Sequence, residues 1–133
     1  MVILIVEDEF LIGLGLQMAL LLGGHRVISS AATAAKALQL AEAEPPEMAF
    51  VDIRIRGDRD GIAVAQALTH RHATSCVFLT AQVDLPRSAK DAALGVLEKP
   101  YDLPDILHAA RVVAAIRKGE TLATPPGHLE LFR

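Results

Sequence analysis

The sequence predicts a three-layer α/β domain built on a mostly parallel sheet, and three observations carry that expectation. Short β-branched or apolar runs alternate with longer helical patterns from one end of the chain to the other. The runs at 2–6, 48–51 and 77–79 are apolar at every position, as strands covered on both faces must be. Polar residues then gather just past the ends of those runs. Alternation of this kind places helices on both sides of one sheet.

Taken in order, the strands are expected at 2–6, 26–30, 48–53, 75–79 and 95–98, with a helix pattern after each. Gly23-Gly24 closes the first helix. Thr33 can cap the second and Pro45-Pro46 ends it, while Asp60 can cap the third. Asp102, with Asp105 three residues on, can open the last helix in a reciprocal cap that also suits the positive end of its dipole. Past Gly119 the pattern changes to Thr124-Pro125-Pro126-Gly127 and then Leu129-Glu130-Leu131-Phe132. Residues 1–119 are therefore expected to form the domain, and 120–133 a turn and short apolar tail packed on it or on a partner.

With 133 residues, 52% of them hydrophobic, the chain has enough material for one core and too little for two. A formal net charge of −3 gives no long-range attraction to nucleic acid or to an anionic membrane. The apolar start lacks a basic leader and runs straight into Glu7, Asp8 and Glu9. The next apolar stretch falls well short of the roughly 20 residues a membrane span needs. The single cysteine, Cys76, lies in the run Cys76-Val77-Phe78-Leu79 and is expected as a buried thiol in a reducing compartment, the cytoplasm. The histidines His25, His70, His72, His108 and His128 show no metal-ligand spacing and are expected to be solvated. Gly13-x-Gly15 sits inside a helix pattern with Met18 where a dinucleotide fingerprint needs its third glycine. The stretch from Asp52 to Gly57 echoes a calcium loop, but Arg54, Arg56 and Ala63 occupy ligand positions, which excludes that reading.

In an open parallel sheet, ligands sit outside the carboxyl ends of the strands, where strand order reverses. Read in order, those ends carry Glu7 and Asp8, then Asp52, Thr80 and Lys99. Each alone is unremarkable as a helix cap or a solvated charge. Together they bring three carboxylates, a hydroxyl and an amine to one edge, and the chemistry that uses such a set is phosphoryl transfer. Clustered carboxylates hold a hard cation such as Mg2+, and a carboxylate can itself be the nucleophile, giving an acyl phosphate. A cation and a lysine would neutralise charge on the phosphoryl oxygens in flight. Asp52, at the end of a central strand, is the natural acceptor.

Four segments, Leu4-Ile5-Val6-Glu7-Asp8-Glu9, Phe50-Val51-Asp52-Ile53-Arg54, Phe78-Leu79-Thr80-Ala81 and Glu98-Lys99-Pro100-Tyr101, resemble in order the conserved blocks of response regulator receiver domains, the CheY-like superfamily, in its stand-alone form. The resemblance runs from Met1 to about Gly119. It implies a flavodoxin-like (βα)5 sandwich with strand order 2-1-3-4-5 and a cis Lys99-Pro100 bond. It further implies Asp52 as phosphoacceptor, Thr80 and Lys99 as phosphoryl-binding groups, and Glu7, Asp8, Asp52 and the backbone carbonyl of Arg54 as Mg2+ ligands. The partners implied are a histidine kinase or histidine phosphotransfer protein and a downstream protein target. Two departures stand out: Val96 replaces the switching aromatic many receivers carry three residues before Lys99, and the stretch from Thr80 to Lys99 is short, which should shrink the fourth helix. Arg54 stands where the family tunes phosphoryl lifetime.

Two other functions share these residues. An aspartyl-phosphate phosphatase or phosphotransferase commonly needs a second Asp two residues past the nucleophile, and Arg54 stands there. A receiver-like adaptor acting only by protein binding fits Val96 and the short fourth-helix region, but leaves the intact Asp8, Asp52, Thr80 and Lys99 without a task. The first helix adds a separate feature. Ile12, Leu16, Ala19 and Leu20 supply its core stripe, yet Leu11, Gly15, Met18 and Leu22 make a second one, continued by Phe10, Leu14 and Leu21. It is expected to meet a kinase or phosphotransfer helix pair, a second copy in a homodimer, or the chain's own tail.

Overall fold

The computed structural model describes residues 1–55, 60–81, 84–120 and 127–132. The expected Thr124-Pro125-Pro126 turn and the Arg56-Gly57 part of the rejected calcium loop lie outside them. Strands and helices alternate as β1 (Val2–Val6), α1 (Phe10–Leu22), β2 (Arg26–Ala31), α2 (Ala34–Ala43), β3 (Met48–Asp52), α3 (Gly61–His72), β4 (Ser75–Thr80), α4 (Arg87–Ala92), β5 (Gly95–Glu98), α5 (Leu103–Arg117) and β6 (Leu129–Leu131). The sheet order is β2-β1-β3-β4-β5-β6, the first five strands parallel and β6 antiparallel to β5. The flavodoxin-like order 2-1-3-4-5 is thus present, with one strand added at its edge.

Two cores follow from the period-2 alternation of the strands. Leu4, Val6, Ala49, Val51 and Phe78 face α2, α3 and α4. Their alternates Ile3, Ile5, Met48, Phe50, Val77 and Leu79 face α1 and α5. Phe50 and Phe78, one on each side, are fully buried, each contributing about 2–3 kcal/mol. Alanines at 34, 37 and 41 recur at helical spacing, so α2 lies close against the sheet.

The helix ends behave as their residues dictate. Lys36 N donates to Thr33 Oγ1 (3.2 Å) and Ala63 N to Asp60 Oδ1 (2.9 Å). Asp102 and Asp105 exchange backbone-to-carboxylate bonds of 3.0 Å each, a full capping box. Gly23 and Gly24, the latter at φ +85°, turn the chain out of α1. The fourth helix is only six residues long, as the short stretch between Thr80 and Lys99 implies. Cys76 is buried, and burial pushes its thiol up to about 12.

Two expectations need correction. The histidines are not all solvated: His25 Nδ1 lies 3.1 Å from the amino terminus and His72 Nε2 3.2 Å from Glu42 Oε2, and His108 Nε2 is buried, while the exposed His128 places Nδ1 2.7 Å from Asp105 Oδ1. Spacing rules for metal ligands say nothing of such tertiary pairs. Nor do the described residues of the tail, 127–132, cover α1. Leu129 and Leu131 pair with β5, where Phe132 N donates to Leu94 O (2.8 Å), because an unpaired edge strand offers backbone hydrogen bonds that a helix face cannot. Gly95 makes that pairing possible: a Cβ there would stand 2.3 Å from Glu130 O, with all its nearest neighbours in the tail. Gly95→Ala is therefore expected to expel β6 and leave the rest intact. Hydrogen exchange should show the Leu131 and Phe132 amides losing protection while those of β1, β3 and β4 keep theirs.

Candidate functional site

The sheet register places the chemistry. Glu7 N donates to Ala31 O (2.9 Å), extending the β1–β2 ladder by one step before the chain turns through Asp8 and Glu9 into α1. β3 ends at Asp52, level with Leu79 of β4, and Thr80 is level with Glu98 of β5. Lys99 N then donates to Thr80 O (2.8 Å), and the Lys99-Pro100 bond is cis, as expected. Strand order reverses between β1 and β3, so a crevice opens where this fold class binds ligands.

Glu7, Asp8, Asp52, Thr80 and Lys99 come together there. A cleft of about 390 Å³ is lined by Asp8, Glu9, Asp52, Arg54, Thr80 and Lys99, with Glu7 buried beside it. Asp52 is fixed on both oxygens: Arg54 N donates to Oδ1 and Lys99 Nζ to Oδ2, each at 2.9 Å. One oxygen from each of Glu7, Asp8 and Asp52 lies within 4.8 Å of the others. Thr80 is buried at the end of β4. Arg54 stands at the rim.

Charge crowding shows in the titration of the groups. Burial, with Asp52 alongside, pushes Glu7 up to about 7, against the pull of the Glu9 amide and Lys99. As an acid Glu7 can donate to Asp52; as a carboxylate its buried Oε2 has no donor. Burial draws Lys99 down, but Asp52, Glu7 and Glu9 outweigh it and hold the ammonium above its ordinary value. Carboxylate-only donors at this spacing, one with an orphaned buried oxygen, fit a hard divalent cation.

Family comparison agrees with this geometry. The response regulator receiver domain family matches residues 3–111. The chain belongs to that family. The transcriptional regulatory protein PdtaR of Mycobacterium tuberculosis is 33% identical over 116 residues, covering 85% of this chain and 56% of that protein. The transcriptional activator protein IrlR of Burkholderia pseudomallei is 32% identical over 121 residues, 89% of this chain and 51% of its own length. This receiver thus spans about half the length of the curated relatives it matches. Among solved structures, the signal receiver domain of a modulated diguanylate cyclase from Desulfovibrio desulfuricans superposes with a TM-score of 0.78 at 30% identity, covering 89% of this chain and 95% of that one. A CheY-like receiver domain protein from Methanospirillum hungatei gives 0.79 at 25%, covering 89% and 97%.

One neighbour of the site went unassigned from sequence. The ring of Tyr101 is half-buried beside the acidic cluster, where burial and then the charges of Glu7 and Asp52 push its hydroxyl up to about 12. Its place directly after Lys99-Pro100 was the available signal. Val96, in the position where an aromatic is common, is buried on the α3–α4 side, with the tail's Phe132 packed against the same cluster.

Proposed function

We propose that this receiver accepts a phosphoryl group on Asp52 from a histidine kinase or histidine phosphotransfer protein, in a Mg2+-dependent reaction, and switches protein–protein contacts in two-component signalling. The observation that carries the reading is Asp52 itself, held at 2.9 Å by Lys99 Nζ with two more carboxylates within 4.8 Å. Residues 1–119 act as the receiver and 120–133 as a C-terminal tail for the domain or a partner. A carboxylate oxygen of Asp52 attacks phosphorus, the donor's P–N bond breaks, and the electron pair leaves with the imidazole, which takes up a proton. Glu7, Asp8, Asp52 and the carbonyl of Arg54 would hold Mg2+, which when bound would supply charge neutralisation for the phosphoryl oxygens. Lys99, released from one oxygen of Asp52, and Thr80, across the cleft, bind the transferred group.

The energetics suffice for a switch. A phosphoryl group brings about −1.5 to −2 charges, and each charge-assisted hydrogen bond is worth roughly 1.5–3 kcal/mol. Engagement of Thr80 and Lys99 in one state alone shifts a population about a hundredfold for roughly 2.7 kcal/mol. The buried, unpaired thiol of Cys76 supports a cytoplasmic setting, and no helix among the described residues is long and apolar enough to cross a membrane.

Incubation with acetyl phosphate and Mg2+, followed by intact mass, tests the reading. The expected result is an adduct of about +80 Da that Asp52→Asn abolishes. Turnover without an adduct would make the chain a phosphatase, and neither adduct nor turnover would leave the adaptor that acts by binding alone.

A further inference from the structure

We infer that this receiver forms a two-fold symmetric dimer through antiparallel packing of α1 against α1 of a second copy. On α1 the exposed positions are Phe10, Leu11, Leu14, Met18, Leu21 and Leu22, all of them large and apolar. No charged residue occurs anywhere in the helix. Among the described residues, the one other strongly exposed large apolar side chain is Leu103, which continues the patch across a groove lined also by Leu11 and Gly15. Of the tail, the chain's own candidate to cover this face, the apolar residues Leu129 and Leu131 are bound to β5 instead.

The size of the patch fits an interface. Seven large side chains at 38–88% exposure leave an apolar area on the order of 700 Å², above the roughly 300–600 Å² of the largest patch on a typical monomer. It approaches the roughly 800 Å² that each partner gives to a standard interface.

The arrangement of the patch names the occupant. At 3.6 residues per turn, the six α1 side chains all point within about 60° of the direction opposite Leu16, and Leu16 is in the core. They are also placed evenly about it: Phe10 and Leu22 lie six residues away, Leu11 and Leu21 five, Leu14 and Met18 two. In a two-fold contact, residue i of one copy meets residue j of the other and j meets i. An antiparallel pair of α1 helices with its axis level with Leu16 therefore brings Phe10 beside Leu21 on one flank, Leu11 beside Leu22 on the other and Leu14 beside Met18 at the centre, in both directions. Every exposed apolar side chain of α1 finds an apolar mate. A heterologous partner would need an apolar surface but not this symmetry, and a charged partner would find no complement.

Sedimentation velocity of the full chain at about 100 μM, roughly a hundredfold above a micromolar Kd, should give twice the 14.2 kDa monomer mass. Leu14→Lys and Met18→Glu should each give monomer while melting within a few degrees of the parent, since both positions are exposed. The double variant Leu14→Lys/Met18→Glu should return to dimer, because each lysine then faces a glutamate of the other copy. A parent that is monomeric at this concentration overturns the proposal, as does a dimer indifferent to both single changes or a double variant that stays monomeric. So does a monomeric parent whose Met18→Glu form slows phosphoryl transfer from a histidine-phosphorylated protein, which would give the face to that donor.

Discussion

Gly61→Ala is expected to lower stability by about 3 kcal/mol, the range for forcing a group into packed structure, and to cut phosphoryl uptake from acetyl phosphate by more than about tenfold. A Cβ at this position would stand 2.0 Å from Asp52 O and 2.7 Å from Ile53 Cα. Both are backbone, so nothing flexible can give way. Gly61 N also donates to Ile53 O (2.8 Å), which binds the start of α3 to the segment just past β3. The added methyl must push apart the helix and the end of the strand that presents Asp52. Arg54 N, which orients Asp52 Oδ1, lies on the displaced segment, so stability and chemistry should fall together. A thermal melt should shift down by roughly 10 °C for a domain of this size. A variant that melts within about 2 °C of the parent, on the scale set by a few tenths of a kcal/mol, would mean that the β3–α3 junction is not this tight.

The importance of Gly61 could not be read from the sequence, where Asp60-Gly61 looks like any helix start. What was legible there depends on local chemistry. Continuous apolar runs gave the central strands because both faces must be covered, and the caps at Thr33, Asp60 and Asp102 were readable because one side-chain oxygen three residues from a backbone N–H suffices. The convergence of Glu7, Asp8, Asp52, Thr80 and Lys99 followed from topology, since parallel strands share one carboxyl edge. Tertiary coincidences escaped. β6 depends on Gly95 lacking a side chain against the Glu130 carbonyl, and His128 meets Asp105 across 23 residues of sequence. The doubled apolar character of α1 was visible in its residues, whereas its centring on Leu16 emerged only once the core side of the helix was fixed. Strand ends moved by one residue, with β3 stopping at Asp52 rather than 53 and β4 taking in Thr80, because register with the neighbouring strand decides where pairing stops.

Without metal, the stability that wild type holds over Glu7→Gln is expected to fall by on the order of 2 kcal/mol as pH rises from about 4.5 to 7. Below about 4.5, folded and unfolded chains both carry the Glu7 proton. Between that value and about 7 only the folded chain keeps it, because burial and Asp52 disfavour a second charge there. The folded state then binds more protons than the unfolded, so stability drops with rising pH and levels off once Glu7 ionises in the fold. Glutamine cannot ionise, and the comparison cancels the other titrating groups. Mg2+ should reverse the loss: an ion held by Glu7, Asp8 and Asp52 would offset the burial and the neighbouring charge that raise Glu7, and at roughly thirty times its Kd it adds about 2 kcal/mol. Since binding must displace the Glu7 proton, affinity for Mg2+ should weaken as pH falls below about 7, by up to about tenfold per unit. Urea melts of both proteins at pH 5 and pH 8, each with and without Mg2+, measure all of this. A difference between them that stays flat across pH in the metal-free pair would show that Glu7 ionises in the fold as it does in water, and the crowded-carboxylate basis of the site would go with it.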